Sequence, residues 1–516
     1  MRNNRNINLI SISRLLKLLF RAALKGRTFS LQVLIGISIV SQAYAGNIIY
    51  PWRAASVIVK KGHGFEILYN NINSAVIDSV ILEGPFKRII LRIDSVNTGR
   101  FEYDTYTHQS TNNSIWVSVP ESSPEDRYDL IVKSGGEKHV SSHSVKVVSE
   151  FKSSHKFIHI TDLHISRQWI GEAKNGYAKE LELLDNFIKV ANIIHPDFII
   201  ITGDNIHDYT RFNADTTGWR GALVRGASQL PLVEEKWKNY YEGANGFSGI
   251  QGFDAPTFSV TGNHDFYGLA EENHPAKAAQ WNHLCGKRVY GFAYAGTRVI
   301  VSDDFLGDPL IDIPEKSPMS GLQGKVLESY LEENGEGQIR IMAQHRHNRV
   351  DTVFCDKHRL AILLNGHSHK PAYEYVGATP TLSIRPGTVS KSGCRDPEQE
   401  LGYFRIFYID GGTYDFSPAL RFCKDPSVPY QDLELNLTLG YEKPNDGTSA
   451  YNTATIENRF SIDLPACKIR FIMKKGNYDV KGGIISQVIE SGKFSIVDVQ
   501  MDVGSGKREI IEIKRM

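Results

Sequence analysis

From Lys156 to Asn365 one pattern repeats: a short apolar, strand-like run and then a polar tip. The runs are Lys156–Thr161, Asp197–Thr202, Pro256–Thr261, Gln338–Gln344 and Leu360–Asn365. Between the first two, Leu181, Leu184, Ile188 and Ala191 recur at three- and four-residue steps. That period predicts an amphipathic helix between Lys174 and His195, ended by Pro196. Strand, helix, strand makes a right-handed crossover unit. A second helix is predicted over Leu322–Glu333, closed by Asn334-Gly335, with further strands at Ala293–Val301 and Leu401–Ile409. Together these predict a two-layered α/β core over residues 153–412.

The flanks carry a different rhythm. Residues 46–152 read as all-β: Ile89–Ile93 is a strand run, Tyr128, Leu130 and Val132 alternate with Asp129 and Ile131, and Val145 and Val147 flank Lys146. Turn clusters at Gly84-Pro85, Ser122-Ser123-Pro124 and Ser134-Gly135-Gly136 punctuate the runs. The expectation is a small β-sandwich of immunoglobulin or fibronectin type. Residues 413–516 return to period two, at Leu433, Leu435, Leu437 and Leu439 and at Cys467, Ile469, Phe471 and Met473. Phe494–Val503 and Glu509–Lys514 read as a closing hairpin around Gly504-Ser505-Gly506, so a second small β domain is expected.

The first 45 residues change the picture. They hold Arg2, Arg5, Arg14, Lys17, Arg21, Lys25 and Arg27 and no acid, then the apolar stretch Leu31–Val40 and Ala43-Tyr44-Ala45. This order predicts a secretory signal peptide over residues 1–45, cleaved after Ala45, with an uncleaved anchor as the alternative. A periplasmic or secreted protein is the expectation. Without those seven basic residues the formal charge falls from +1 to −6, which argues against a nucleic-acid polymer as partner. No later apolar run approaches a membrane span, so no integral span is expected in the mature chain. None of the five cysteines forms a Cys-x-x-Cys pair, which speaks against a zinc-finger or thioredoxin-like site.

The polar tips carry the chemistry. In order they are Asp162-Leu163-His164, Gly203-Asp204, Gly262-Asn263-His264-Asp265, His345 and Gly366-His367-Ser368-His369. Parallel sheets present ligands at the carboxyl ends of their strands, where these tips would converge. Carboxylate oxygen with imidazole nitrogen suits manganese, iron or zinc better than calcium or magnesium. A tight turn at His367-Ser368-His369 can splay its two rings onto neighbouring cations, and Asp204 has two oxygens with which to bridge them.

This series of blocks resembles the calcineurin-like metallophosphoesterase superfamily over roughly residues 156–412. The first and third blocks look most like class III cyclic-nucleotide phosphodiesterases; the flanking β domains resemble those of secreted acid phosphatases. The resemblance implies an αββα two-sheet core and two transition metal ions. Asp162, His164 and His369 would hold the first ion, Asn263, His345 and His367 the second, and Asp204 would bridge. It implies a metal-dependent phosphoric ester hydrolase, phosphodiesterase or phosphatase, acting on a small phosphorylated substrate. A hydroxide bridging the two ions would attack phosphorus, with His264 assisting the leaving group. The alternative is a non-catalytic binding or adhesion protein on a retired core. One departure stands out: many members read Gly-Asp-x-x-Asp, whereas here Gly203-Asp204 is followed by Asn205-Ile206-His207-Asp208. His347 competes with His345, His207 reads as a loop residue with contact to substrate as the alternative, and Asp265 is expected to brace its loop by hydrogen bonds. Within the long insertion Tyr209–Gly252, Arg211, Trp219, Arg220 and Arg225 are equally surface residues or pocket residues.

Overall fold

The structure, a computed structural model, describes residues 48–71, 76–104, 108–165, 180–207, 230–266, 274–304, 319, 321–332, 338–390, 401–426 and 432–516. The predicted signal peptide, Asp208, Arg211, Trp219, Arg220 and Arg225 lie outside the described residues.

Two sheets form the centre. The first contains β9 (Ser154–Ile160), β10 (Phe198–Ile201), β13 (Thr257–Ser259), β20 (Tyr403–Asp410) and β21 (Thr413–Phe416), in the order β13-β10-β9-β20-β21, with β22 (Leu420–Arg421) added on β20. The second contains β14 (Tyr290–Tyr294), β15 (Thr297–Val301), β16 (Ile339–Arg346), β17 (Ile362–Gly366), β18 (Ala372–Val376) and β19 (Thr381–Arg385), in the order β14-β15-β16-β17-β19-β18. Strands β9, β10 and β13 run parallel, as do β15, β16, β17 and β19. Alternate residues explain why the runs read as continuously apolar. Phe157, Phe198 and Ile200 from the first sheet meet Val299, Ile341, Ile362, Leu364 and Ile384 from the second in one inter-sheet core. The residues between them, Ile158, Ile160, Ile199 and Ile201, face outward onto Leu184, Phe187, Ile188 and Ala191 of helix α1 (Glu180–Ile194). On the far side Ile300, Met342 and Leu363 pack on Leu327 and Leu331 of α4 (Leu322–Leu331) and on Phe354 of α5 (Thr352–His358). Strands buried on both faces need this double coverage, and the result is the four-layered αββα core.

Two local expectations are corrected. Ala293–Val301 is not one strand, because Ala295-Gly296 turns β14 back onto β15; Ala295 sits at φ 47°. The insertion before β13 is not all loop: it holds α2 (Leu230–Glu242) and the tiny hairpin of β11 (Gly243–Ala244) and β12 (Phe247–Ser248). Helix α3 (His274–Cys285) leads from the third tip to β14.

The N-terminal strands are β1 (Ile48–Tyr50), β2 (Val57–Lys60), β3 (Gly64–Tyr69), β4 (Ile77–Glu83), β5 (Arg88–Asp104), β6 (Gln109–Ser118), β7 (Asp126–Ser134) and β8 (Glu137–Val148). They form one continuous sheet, β1-β3-β6-β5-β4-β7-β8-β2, wrapped round a shared core that includes Ile67, Ile115, Val80 and Leu130. The seventeen-residue β5 runs through both halves, where a sandwich would have two separate sheets. At the other end, β23 (Leu437–Tyr441), β24 (Tyr451–Asn458), β26 (Tyr478–Lys481) and β29 (Arg508–Arg515) form one sheet, and β25 (Leu464–Lys474), β27 (Ile484–Ser491) and β28 (Phe494–Val503) another. The predicted closing hairpin is therefore corrected. Gly504-Ser505-Gly506 carries the chain from one sheet to the other, so β28 and β29 never pair. Of the predicted alternation at Leu433–Leu439, only its end lies in a strand.

Charged side chains lock these parts to the core. The fully buried Arg127 guanidinium of β7 donates to the carbonyls of Phe253 (2.7 Å) and His143 (2.7 Å) and to Thr257 Oγ1 (3.2 Å). Lys468 of β25 reaches Asp254 at 2.7 Å, while within the C-terminal part Arg470 of β25 clamps Asp498 of β28 through two bonds of 2.7 and 2.9 Å. Lys146 of β8 lies in the same cluster, where burial first and then Lys468 push its pKa from 10.5 to about 8. Below pH 8 Lys146 is charged folded and unfolded, so its desolvation opposes folding in full. Between pH 8 and 10.5 the folded protein sheds that proton first, and stability climbs. Lys146→Met should therefore stabilise the protein by up to about 3 kcal/mol at pH 7. In urea unfolding at a series of pH values, that advantage should shrink above pH 8.

Candidate metal centre

The tips of the two sheets meet at their carboxyl ends, and their backbone is unusual there. Asp162 (φ 54°), His164 (φ 48°), Asp204 (φ 50°), His367 (φ 70°) and His369 (φ 59°) all occupy the left-handed region. Such residues are uncommon outside glycine and concentrate at functional sites. The conformation curls each tip over the strand end rather than onward. It also splays His367 and His369 apart: His369 joins His164 and Asp162, whereas His367 joins His345.

Hydrogen bonds hold the curled tips. The β9 and β10 tips zip together through Asp162 N to Gly203 O (3.1 Å) and His164 N to Asp204 O (2.8 Å). His264 N donates to Asp204 Oδ1 (2.8 Å) and His367 N to Asp162 Oδ2 (3.0 Å), so each carboxylate spends one oxygen on a neighbouring tip. Asp265 braces its loop as expected, accepting from Gly262 N, Asn205 Nδ2 and Ile206 N at 2.8 to 3.0 Å. Burial, then the charge of Asp204, pushes its carboxyl up to about 7. Gly262 is obligatory at its place. A Cβ there would lie 2.0 Å from Asp204 N and 2.4 Å from its Oδ1.

The remaining atoms form two clusters that share Asp204. In the first, His369 Nε2 is 3.0 Å from Asp162 Oδ1 and 3.3 Å from His164 Nε2. His164 Nε2 lies 3.6 Å from Asp162 Oδ1 and 3.7 Å from Asp204 Oδ2. In the second, His345 Nε2 lies 3.3 Å from Asp204 Oδ2 and 3.0 Å from Asn263 Oδ1, with the His367 ring 5.1 Å away. His345 Nδ1 donates to Thr202 O at 2.7 Å, which fixes its tautomer. Its Nε2 lone pair therefore points at oxygens that are themselves acceptors. Asp162 Oδ1 and Asp204 Oδ2 are buried and receive no hydrogen bond. Lone pairs facing lone pairs in a closed space need a positive charge between them, either a proton or a cation. The titration shows the same demand. Burial pulls His345 down, but Asp204 outweighs it and lifts the ring to about 10. Burial holds His164 and His367 down at about 4, as neutral nitrogen donors. Asp204 is driven well below the carboxylate range, because His345 and His264 overcome its burial. These donors fit two transition metal ions, with Asp204 reaching both.

All eight predicted residues thus lie together. His264 stands at the rim, its side chain 25% exposed and Nε2 4.0 Å from Asp204 Oδ2. Between the competing histidines, His345 is fully buried and faces Asn263, while the ring of His347 stands 6.1 Å from that of His367. Two residues escaped the sequence reading. Asp304, past the end of β15, accepts from His345 N (3.1 Å) and Arg346 N (2.6 Å) and so aims the fourth tip. Its signal was a further strand followed by Asp303-Asp304. His207, read as a loop residue, is buried, and its ring stacks on that of His264.

Residues 155–371 match the family model described as calcineurin-like phosphoesterase, and the chain carries a calcineurin-like phosphoesterase domain there. Among solved structures, a conserved uncharacterized protein of Streptococcus pneumoniae TIGR4, described as a predicted phosphoesterase, is 14% identical, covering 52% of this chain and 98% of its own, with a TM-score of 0.20. Wild-type Vps29 of Entamoeba histolytica complexed with zinc is 12% identical over 51% of this chain and 97% of its own, with a TM-score of 0.19. No curated protein matches the chain significantly.

Because Asp204 serves both clusters, Asp204→Asn should cost more than one ion. Plasma mass spectrometry after dialysis against manganese should find fewer than one ion per chain in the variant, against two in the wild type. Gly262→Ala, whose Cβ would crowd both Asp204 N and Oδ1 while leaving the carboxylate group itself in the sequence, should show the same loss.

Proposed function

We propose that this protein is an exported phosphoesterase that hydrolyses a small phosphate ester with two transition ions, manganese, iron or zinc. In this reading Asp162, His164 and His369 hold one, Asn263, His345 and His367 the other, and Asp204 both. The observation that carries it is the pair of buried donor clusters meeting at one carboxylate, on strand tips of a calcineurin-like phosphoesterase domain. When bound, two such cations acidify a shared water and neutralise the phosphoryl oxygens.

The chain's own residues supply the rest. Thr202 and Asp304 orient His345 from the ring and from the backbone, so its nitrogen is aimed before any ion arrives. His264 is anchored through its backbone on Asp204 while its ring reaches solvent. A leaving alkoxide beside it can take a proton from that ring. The basic, then apolar, first 45 residues support a place outside the cytoplasm. Among the described residues no helix is long and apolar enough to cross a membrane.

Manganese-loaded protein should hydrolyse bis-p-nitrophenyl phosphate. His264→Ala should lower turnover by roughly 10²–10⁴-fold, the usual range for a general acid, with the metal content unchanged. Full turnover in that variant would remove His264 from the mechanism.

A further inference from the structure

The N-terminal sheet reaches toward the metal centre through one long arm. From Thr98 to Asp104, strand β5 has left β4 behind and pairs only with β6. Asn97, Thr98, Gly99 and Arg100 on this ribbon are exposed, yet Asp104 at its end is buried. A carboxylate taken out of water needs partners. Asn282 Nδ2 of α3 donates to Asp104 Oδ2 (2.5 Å) and to Gln109 Oε1 (2.9 Å), which faces Asp104 across the ribbon. Arg288, between α3 and β14, donates from Nε to the same Asp104 oxygen at 3.3 Å.

The other arm of that guanidinium points at the fourth tip. Arg288 Nη1 donates to Asp303 Oδ2 at 2.6 Å, and both side chains are buried. Burial works against the Arg288 charge, but Asp104 and then Asp303 outweigh it and hold the pKa above its ordinary range. Gln323 of α4 fixes the Asp303 backbone, accepting from its N (2.7 Å) and donating to its O (3.0 Å). The next residue, Asp304, accepts from His345 N (3.1 Å) and Arg346 N (2.6 Å). An unbroken line of contacts therefore runs from the end of the ribbon to His345.

We propose that Arg288, clamped between Asp104 of the N-terminal sheet and Asp303, is a positioning residue for His345, so that the N-terminal sheet sets how tightly the second ion is held. The inference rests on the phosphoesterase reading, which makes His345 a ligand of that ion. A guanidinium presents its donors in a rigid fork, so it fixes the direction of each carboxylate as well as its charge. Asp303 and Asp304 are consecutive, and a grip on the first holds the backbone from which the second aims His345. Without Arg288 the buried Asp303 carboxylate is left uncompensated and must take a proton or turn away, and turning away draws Asp304 off the fourth tip.

The test is a titration of the full chain with manganese against a competing chelator. Arg288→Met should weaken the ion that His345→Ala loses by about 10- to 100-fold, the usual cost of removing the support behind a metal ligand, and leave the other ion as tightly held as in the wild type. Asp304→Asn should weaken the same ion. The double variant should be no weaker than the worse single one, because both residues act through His345 N. Asp104→Asn, which keeps the shape and removes only the charge at the ribbon end, should weaken that ion as well, and it serves where Arg288→Met does not fold. Equal weakening of both ions, losses that add in the double variant, or unchanged affinity in Arg288→Met or Asp104→Asn would overturn the positioning role and leave the phosphoesterase reading standing. A wild type that takes up no manganese would overturn both.

Discussion

The buried carboxylate of Asp204 is the constraint to which the rest of the site answers. One of its oxygens is used by the His264 backbone; the other lies among the ring nitrogens of His164 and His345 with no hydrogen bond of its own. A naked charge in that position is costly, and removing one partner from such a group would leave the remainder uncompensated. The neighbours are arranged accordingly. Gly262 leaves room for the Asp204 backbone, and Gly203, at φ 85°, leaves room for the His345 ring. Stability is traded here for a concentrated field, as is common where backbone strain gathers at a working site.

The flanking β parts contribute a different kind of order. They are joined to the core by buried charged groups as well as by apolar contact, Arg127 on the carbonyls before β13 and Lys468 on Asp254, while Arg470, between Asp498 and Asp126, joins the two flanking parts to each other. Helix α1 packs against strand β25 and against the β11–β12 hairpin, where Ser248 N donates to Asp185 (3.1 Å), so Asp185 is buried on what the sequence pattern presents as a polar face. A charge-assisted bond has directional demands that apolar packing lacks. It therefore fixes how the flanking strands sit on the core, and through β13 how the third tip is held.

Much of this could be read from residue order alone. The five apolar runs and their tips carry local information: a strand buried on both faces must be apolar throughout, and its end must be polar. The residues Asp162, His164, Asp204, Asn263, His264, His345, His367 and His369 stand where that rule puts chemistry, and strands alternating with helices point to an α/β core, whose αββα layering was implied only by the resemblance to calcineurin-like metallophosphoesterases. The flanks were legible only as β. Whether two strands pair or part at a glycine-rich turn depends on which sheet has a vacant edge, so Gly504-Ser505-Gly506 looked like a hairpin and is a crossing.

The amino-acid order thus determined the element types, their sequence and the identity of the groups at each tip, because these depend on neighbours a few positions away. The folded chain decided what depends on distant partners. It set the left-handed turns that part His367 from His369, the grip of Asp304 on His345, and the placing of His207 beside His264. Each of these arises from backbone or side-chain groups that come within a few ångströms only after two sheets have packed, and no local pattern encodes that distance.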